Sequence, residues 1–218
     1  MRLNKMKLFL AILLTTLFQG IKAQGISSQQ LKKEVKTFLT DSTSGDYVKD
    51  AVNILQTNED NLNEQQYKLL YYMQGAKPEK IFPSLSLETD RFKLLRLVNN
   101  RSFKKAISIG ETLVNKNPVD LTTLVLLSMS IDMSGGGKEN RYYKRMRNII
   151  TAILKTGDGK TPETAIKIVN INDDDQLLGF VKFDGSSKKD EQINGKYFSV
   201  WKNRNGDKFY FEYVFIFL

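Results

Sequence analysis

From Ser27 to about Asn140, apolar side chains recur at intervals of three and four residues, which is the spacing of one face of an α-helix. Almost nothing in this range alternates as a strand would, so the pattern predicts one helix after another. The apolar positions of the first four predicted helices are Leu31, Val35, Phe38 and Leu39; Tyr47, Ala51, Ile54 and Leu55; Tyr67, Leu70 and Tyr71, with Gln74 on the same side; and Phe92, Leu95 and Val98. Pro78 and Pro83 indicate a connector before the fourth helix.

The next segment has the spacing of a helical repeat. Phe103, Ala106 and Pro118 are separated like the aromatic, small and terminal proline positions of a tetratricopeptide repeat. When the same repeat length of about 34 residues is continued along the chain, the next repeat also has apolar, small, aromatic-sized and turn residues at its expected positions. These residues are Leu124, Leu127, Ser128, Ile131 and Gly135. We therefore expect tetratricopeptide-like hairpins, in which small residues let antiparallel helices approach closely, although a degenerate helical pair could give the same pattern by chance.

After the glycines at 135–137 the spacing predicts a long helix over residues 138–155, and beyond Gly157 the pattern changes. The elements predicted there are a short strand over 165–170, a helical turn or a strand over 175–180, and two aromatic-rich strands over 196–202 and 208–217, joined by a turn at Asn205 and Gly206. Because a two-stranded ribbon is not stable alone, we expect this part to pack against the preceding helices.

These elements predict an α+β fold with N-terminal tetratricopeptide-like helical hairpins followed by a small C-terminal antiparallel β unit. We place the helical region at residues 24–156 and the β-rich unit at residues 157–218. A secretory signal peptide precedes both, at residues 1–23.

The signal peptide is predicted from three regions in the expected order. Basic residues precede an apolar run over residues 8–18, and a short polar stretch ends at Ala23. The run has about eleven residues, whereas a helix that spans a bilayer needs roughly twenty, so a retained anchor is the weaker interpretation. A buried core helix would show more polar positions than Thr15 and Thr16. We expect export to the periplasm or secretion, with no membrane span left after cleavage.

Composition narrows the classes of function. The chain has no cysteine, so neither a disulfide nor a lipid-modified cysteine is available. It has no histidine, which removes Ser-His-Asp and Cys-His nucleophile systems and nearly every zinc or haem arrangement. Lys and Arg total 33 against 24 Asp and Glu, and removing Arg2, Lys5, Lys7 and Lys22 with the signal peptide leaves 29 against 24. This mild basicity is not typical of a nucleic-acid-binding protein.

Two segments resemble ligand-binding loops without meeting their rules. Residues 159–161 resemble the end of a phosphate-binding loop, but Leu154 stands where that motif needs its first glycine. We interpret residues 156–164 as a helix end, a tight turn through Asp158 and Gly159, and a new start at the following threonine.

The acidic run at residues 173–175 lacks the alternating spacing and distal glutamate of a calcium loop, so we interpret it as an acidic loop or helix start. Together with Glu163, these carboxylates could also supply the acid and base of a glycoside hydrolase, which needs neither histidine nor cysteine. Nothing in the sequence shows two of them facing each other.

Tyrosines and a basic helix face are the remaining candidates. The tyrosines at 71, 72, 142 and 143 fit a stacking groove for sugars or peptides, or the core, which is the commoner place for aromatics at helical spacing. The helix over 138–155 has Tyr142, Met146, Ile149 and Ile153 on its apolar face and Lys138, Arg141, Lys144, Arg145 and Arg147 on its outer face. The basic face at 138–147 either binds acidic lipid or polymer or is a solvated exterior, which we favour. The residues singled out for an interaction or a structural motif are Tyr71, Tyr72, Asp158, Gly159 and Glu163; no catalytic, cofactor-binding or metal-binding residue is assigned.

Several of these segments together resemble a known family. They are residues 69–72, residues 117–120, residues 156–165, Asp175 with Leu177 and Leu178, and Tyr210 with Phe211. They are similar to small exported proteins of Gram-negative bacteria grouped as domain of unknown function 4919. The resemblance implies helical repeats followed by a β unit, and it implies export. It implies no known activity, so no catalytic residue is carried over.

We expect a non-catalytic protein-binding, peptide-binding or scaffolding module of the cell envelope, because helical stacks present a concave face that commonly holds a partner. One alternative is a carboxylate-dependent hydrolase acting on glycans. Another is a structural envelope component whose exposed β edge pairs with a further strand. No cofactor and no nucleic-acid partner is expected.

The signal-peptide interpretation predicts the mass of the exported protein. When the full sequence is expressed in a Gram-negative host, the periplasmic or secreted product should begin at Gln24. Leu13→Arg, which places a charge in the apolar run, should keep the longer precursor inside the cell. An exported native chain that still begins with Met1 would contradict the prediction.

Overall fold

The structure is a computed structural model that describes residues 25–40, 44–57, 62–76, 88–137 and 140–215. The predicted signal peptide and the connector with Pro78 and Pro83 lie outside the described residues. So do Lys138, the side chain of Tyr47 and residues 216–217 of the last predicted strand. Within the described ranges, no helix has both the length and the hydrophobicity needed to cross a bilayer.

Helices precede strands along the described chain. The helices are α1 (Ser28–Thr40), α2 (Ser44–Thr57), α3 (Glu64–Ala76), α4 (Glu88–Asn99), α5 (Phe103–Lys116), α6 (Leu121–Met133) and α7 (Arg141–Leu154). They are followed by β1 (Ile166–Ile168), α8 (Asp173–Val181), β2 (Ser187–Ile193), β3 (Lys196–Lys202) and β4 (Lys208–Tyr213). The α+β class, with helices first and strands last, is confirmed.

Contacts group the chain into two compact units. Of the described residues, those from Lys32 to Ala152 form the helical unit, and residues 153–215 together with 25–31 form the sheet unit. The predicted division put residues 24–156 in one helical region, whereas the described residues 25–31 group with the strands.

Helices α4, α5 and α6 of the helical unit pack against one another. Their core cluster is Leu94 and Val98 of α4, Ala106 and Leu113 of α5 and Leu126 of α6. The fourth predicted helix forms, but of the three apolar residues that indicated it only Val98 is buried. Phe92 is 69% exposed and Leu95 is 42% exposed, because other apolar residues of α4 form the inner face.

The chain between α5 and α6 turns through a buried corner at residues 117–120. Asn117 Oδ1 accepts the backbone N–H of Val119 at 3.2 Å, and the Asn117 amide donates to Gln74 Oε1 at 3.0 Å. Pro118 has no N–H with which to continue α5. The corner therefore ends one helix and ties the turn to α3.

Asp120 begins the next helix. Its Oδ1 accepts the N–H of Thr123 at 2.8 Å, which is a standard N-cap of α6. Its Oδ2 accepts from the guanidinium of Arg91 on α4. Asp120 is 1% exposed, so this buried carboxylate links α4 to the start of α6.

At Gly110, helix α5 approaches α6 closely. A Cβ on Gly110 would lie 3.0 to 3.1 Å from side-chain carbons of Leu127. Ala106 and Ser128, the small residues predicted at this interface, are 0% and 1% exposed. Whether the helices form tetratricopeptide repeats stays a prediction.

Four strands of the sheet unit form one sheet in the order β1-β4-β3-β2. β3 forms where predicted, β4 starts where predicted, and residues 175–180 lie in helix α8. Strands β2, β3 and β4 are antiparallel to their neighbours, but β1 runs parallel to β4, with Ile166 opposite Phe211. The β unit is therefore mixed rather than purely antiparallel.

β2 is the strand that sequence patterning missed. Its sequence, SKKDEQI, offers no alternation of apolar and polar residues. β2 lies at the edge of the sheet and pairs with β3 only, so few of its side chains need to be buried. Charged side chains on an edge strand oppose pairing with another chain, which does not favour a structural role through this edge.

The approach of α5 to α6 gives a stability prediction. Gly110→Val should lower the free energy of unfolding by about 1–3 kcal/mol, because added methyl groups would overlap Leu127. Ser108→Val, which makes a β-branched residue on the exposed side of the same helix, should change it by about 0.5 kcal/mol or less. Urea unfolding followed by circular dichroism measures both. Equal effects would show that the helices are not in close contact at Gly110.

Candidate functional site

The Gly-Asp-Gly turn at residues 157–159 is the most specific part of the family resemblance. Steric contacts explain why glycine stands at both of its ends. A Cβ on Gly157 would lie 2.2 Å from the carbonyl oxygen of Thr164. Gly159 has a positive φ of 71°, and a Cβ there would lie 2.3 Å from the ring of Phe209. Backbone hydrogen bonds of 2.8 Å join Gly159 to Thr164 and to Tyr210. The turn is thus bound to β4 as part of the sheet unit.

Glu163 lies in a one-turn motif beside this loop. The hydroxyl of Thr161 accepts the N–H of Thr164 at 3.3 Å, and the hydroxyl of Thr164 accepts the N–H of Thr161 at 3.2 Å. Reciprocal bonds of this kind are typical of a capping box. Hydrogen bonds from its own N–H and from Thr161 lower the pKa of Glu163, whose side chain is exposed.

Asp158 also acts within the turn. Its Oδ1 accepts the N–H of Lys160 at 3.1 Å. Partial burial, the largest influence, would raise the pKa of Asp158, but hydrogen bonds from Thr164 and from the Lys160 backbone outweigh it and hold the pKa below its ordinary value. Asp158, Gly159 and Glu163 are therefore neighbours in one turn, in which Gly159 is buried and the two acidic residues are exposed.

Tyr71 and Tyr72 are both 0% exposed in α3. Their rings meet edge to face, with centroids 4.8 Å apart. Neither ring reaches solvent, so this pair contributes to the packing of the helical unit.

Asp174 is the centre of a buried polar network in the sheet unit. This residue of α8 is 0% exposed, and its Oδ2 accepts from Ser199 Oγ at 2.5 Å and from Trp201 Nε1 at 2.8 Å. Lys188 Nζ lies 2.7 Å from the same oxygen. Asp174 Oδ1 has no hydrogen-bond partner among the described residues. Sequence patterning missed this network, because its members come from α8, β2 and β3.

Burial and the charge of Asp174 raise the pKa of two neighbouring groups, Tyr213 and Asp175. Burial, followed by the charges of Asp174 and Asp190, raises the pKa of Tyr213, whose hydroxyl donates to Asp190 Oδ1 at 3.2 Å. Burial and the Asp174 charge also raise the pKa of Asp175, against the opposing effect of Lys188. The network holds α8 against one face of the sheet.

Glu212 carries the network of the opposite sheet face. It is 2% exposed, accepts from Ser28 Oγ at 2.5 Å and lies 3.1 Å from Lys196 Nζ. Lys167 Nζ lies 3.6 Å away, and burial lowers the pKa of Lys167 in spite of the attraction of Glu212. Each of these two charges interrupts an apolar strand, as in Ile-Lys-Ile and Phe-Glu-Tyr, which is the signal by which sequence reasoning could have found a buried pair.

Two of the four carboxylates considered for glycan hydrolysis are buried and hold the fold. Asp173 and Asp174 are 1% and 0% exposed. Asp173 Oδ2 accepts from the backbone and the side chain of Asn170, both at 3.2 Å, at the start of α8. No group of three or more acidic residues within the described ranges could hold a metal ion. Asp175 and Glu163 are the exposed members of the set.

The predicted basic face of α7 needs one correction. Arg145 was placed on the outer face, but it is 1% exposed, and its guanidinium donates to the carbonyl oxygen of Leu55. Arg141 donates to Tyr142 and lies 4.0 Å from Glu111. Lys144 is exposed, Arg141 and Arg147 are half-buried, and the basic face predicted there is therefore interrupted.

The outward face of α4, which we define as Phe92, Lys93, Leu95 and Arg96, differs from the sites above. All four residues are exposed, and helical spacing places Leu95 and Arg96 beside Phe92. Met133 and Ile171 are also exposed, but each stands alone in its segment, which is ordinary for a protein surface. The outward face therefore combines exposed apolar residues with cations in a rigid element.

The described residues define an α+β protein with a helical unit, a four-stranded mixed sheet and no cluster suited to a metal. A family model described as "Domain of unknown function (DUF4919)" matches residues 33–215. The chain belongs to this family. Neither the curated proteins nor the solved structures contain a match to it.

The Asp174 network gives a prediction with a matched control next to it in sequence. Asp174→Ala should lower the free energy of unfolding by about 2–4 kcal/mol, because it leaves the buried Ser199 hydroxyl and the Trp201 N–H without their acceptor and removes the closest carboxylate of Lys188. Asp175→Ala should cost at most about 1 kcal/mol, since that side chain is exposed and contributes mainly to the helix dipole.

Urea unfolding monitored by fluorescence is suited to this comparison, because the chain has a single tryptophan, Trp201, which donates to Asp174. The folded Asp174→Ala protein should also show a shifted emission maximum. If Asp174→Ala and Asp175→Ala proved equally stable, the network would not hold α8 on the sheet.

Proposed function

We propose that the protein is an exported, non-catalytic module that binds a protein or peptide of the cell envelope through the outward face of α4. The observation that carries the proposal is the exposure of Phe92 and Leu95 side by side on one helix. Full burial of a side chain of this size contributes about 1.5–3 kcal/mol, so covering the parts of Phe92 and Leu95 that are still exposed contributes a share of that. Two such anchors on a preformed helix supply the centre of a small interface without an ordering cost for the backbone.

The inner side of α4 explains why this face can be presented without loss of stability. Leu94 and Val98 are 0% and 5% exposed and belong to the core shared with α5 and α6. Arg91 of the same helix is tied to the buried carboxylate of Asp120. The helix is thus held from one side and can offer the other to a partner.

The distribution of buried charges favours binding over catalysis. Asp120, Asp174 and Glu212 all accept hydrogen bonds from side chains or backbone groups of the fold. A catalytic acid or base has to reach its substrate, and these three carboxylates are 0 to 2% exposed. The exposed apolar pair of α4 has no comparable role within the described structure.

The proposed location follows from the predicted signal peptide, so the partner is expected in the periplasm or outside the cell. The absence of cysteine is consistent with either place, since the fold then does not depend on a redox environment. The family match carries no activity with it.

Site-specific photo-crosslinking tests the proposal. A photoreactive phenylalanine analogue at position 92 should give a discrete adduct in the envelope fraction, identified by mass spectrometry, and Leu95→Ser should reduce its yield severalfold. The same analogue at position 144, an exposed residue of α7, serves as the control.

Phe92→Ser and Leu95→Ser should each change the free energy of unfolding by about 0.5 kcal/mol or less, because both side chains are exposed. Loss of the position-92 adduct in the Leu95→Ser variant would then report binding rather than folding. The proposal fails if position 92 gives no adduct, or gives the same adducts as position 144.

A further inference from the structure

We propose that the partner bound by the outward face of α4 is an acidic amphipathic segment, in which apolar side chains are flanked by carboxylates. This inference rests on the proposed function and names the chemistry of the partner. It is carried by the charge that follows in sequence: Glu88 and Asp90 precede Phe92 in α4, but from Arg91 to Gly110 every charged residue is basic.

The stretch from Arg91 to Gly110 covers most of α4 and half of α5 and contains no carboxylate. Its basic residues are Arg91, Lys93, Arg96, Arg101, Lys104 and Lys105. Arg91 is bound to Asp120, and the other five are exposed. Within the described part of the chain, no ion pair joins any of these five cations to an acidic side chain.

The nearest acidic residues in sequence already have cationic partners. Asp90 precedes the stretch and lies 3.8 Å from Lys116, while Glu111 follows it and lies 4.0 Å from Arg141. The cations around the outward face are therefore left for an external partner with the opposite charge.

The turn between α4 and α5 contains a further cation, Arg101, in an unusual backbone conformation. The N–H of Ser102 donates to the carbonyl of Leu97 and the N–H of Arg101 to that of Val98, which is the pattern of a Schellman motif. Arg101 occupies the left-handed position with φ of 57°, where glycine is the residue that fits without strain. An exposed arginine there contributes charge at a local cost in backbone conformation.

The apolar pair decides between a polypeptide and a polyanion such as nucleic acid. Binding to phosphates needs cations and gains nothing from an exposed leucine beside them. An amphipathic helix laid across the face would bury Phe92 and Leu95 under its apolar stripe and bring its flanking carboxylates to Lys93 and Arg96. The anchors would supply affinity, and the cations would supply orientation and a faster association rate.

Two labelled synthetic peptides of about 18 residues, five helical turns, test the inference. Both carry the same leucine stripe, one with glutamates and the other with lysines at the polar positions. Fluorescence anisotropy with the mature protein should show the acidic peptide binding at least about tenfold more tightly than the basic one. Its affinity should fall severalfold between about 50 and about 300 mM salt, because exposed charges are screened.

Three variants locate the effect. Lys93→Glu combined with Arg96→Glu should reverse the preference between the peptides, whereas Lys144→Glu on α7 should leave it unchanged. Arg101→Gly should weaken the acidic peptide severalfold while leaving the fold as stable or more stable, since its backbone conformation suits glycine. Phe92→Ser should weaken both peptides.

The outcomes separate the two proposals. If neither peptide binds, or if the basic one binds as well, while position 92 still crosslinks to an envelope protein, the acidic partner is wrong and the proposed function stands. If crosslinking at position 92 is also absent, both are wrong. Equal binding of an oligonucleotide, unaffected by Phe92→Ser, would assign the cations to a polyanion. Dimerisation lost on Phe92→Ser would assign the face to a second copy of the chain.

Discussion

A buried carboxylate has to be paired with donors or it destabilises the fold, and three of those buried in the described residues join segments that are distant in sequence. Asp120 joins α4 to the start of α6, Asp174 holds α8 on one face of the sheet, and Glu212 holds the beginning of α1 on the other. The chain has neither disulfides nor histidine, so these charged contacts and apolar packing maintain its tertiary structure. Each contact joins segments distant in sequence.

This constraint also limits where function can lie. Ser199 and Trp201 bind Asp174, and Ser28 and Lys196 bind Glu212, whereas Asp175 and Glu163 are the exposed members of the carboxylates considered for acid and base chemistry. The outward face of α4, by contrast, is an exposed surface. The outward face of α4 stands out because its apolar and cationic residues have no use in the packing of the helical unit.

Some elements could be predicted from the sequence and others could not, for physical reasons. Helical periodicity located the helices, and aromatic alternation with an Asn-Gly turn located β3 and the start of β4. β2 could not be found that way, because an edge strand with charged side chains has no apolar alternation. The site residues in the Gly-Asp-Gly turn were recognised, but the steric reasons for Gly157 and Gly159 depend on contacts with distant backbone and with β4.

The buried side of a helix was predicted wrongly in α7 and in α4, for the same reason. Arg145 was put outside because it is charged, although its spacing of three residues from Tyr142 places it on the inner face of α7. The spacing of Phe92, Leu95 and Val98 predicts the apolar side of α4, but Leu94 and Leu97 meet the core together with Val98. Residue type suggested the wrong face in both cases. Only the position of neighbouring helices decides between two apolar stripes on one helix.

Amine footprinting tests the central claim, that the outward face of α4 is covered by a partner in the envelope. Acetylation with a short pulse of an acylating reagent is measured at Lys93 and at Lys144, in the intact envelope and in the purified protein. The account predicts that Lys93 is protected several-fold in the envelope while Lys144 reacts equally in both. Equal reactivity of Lys93 in the two preparations would contradict it.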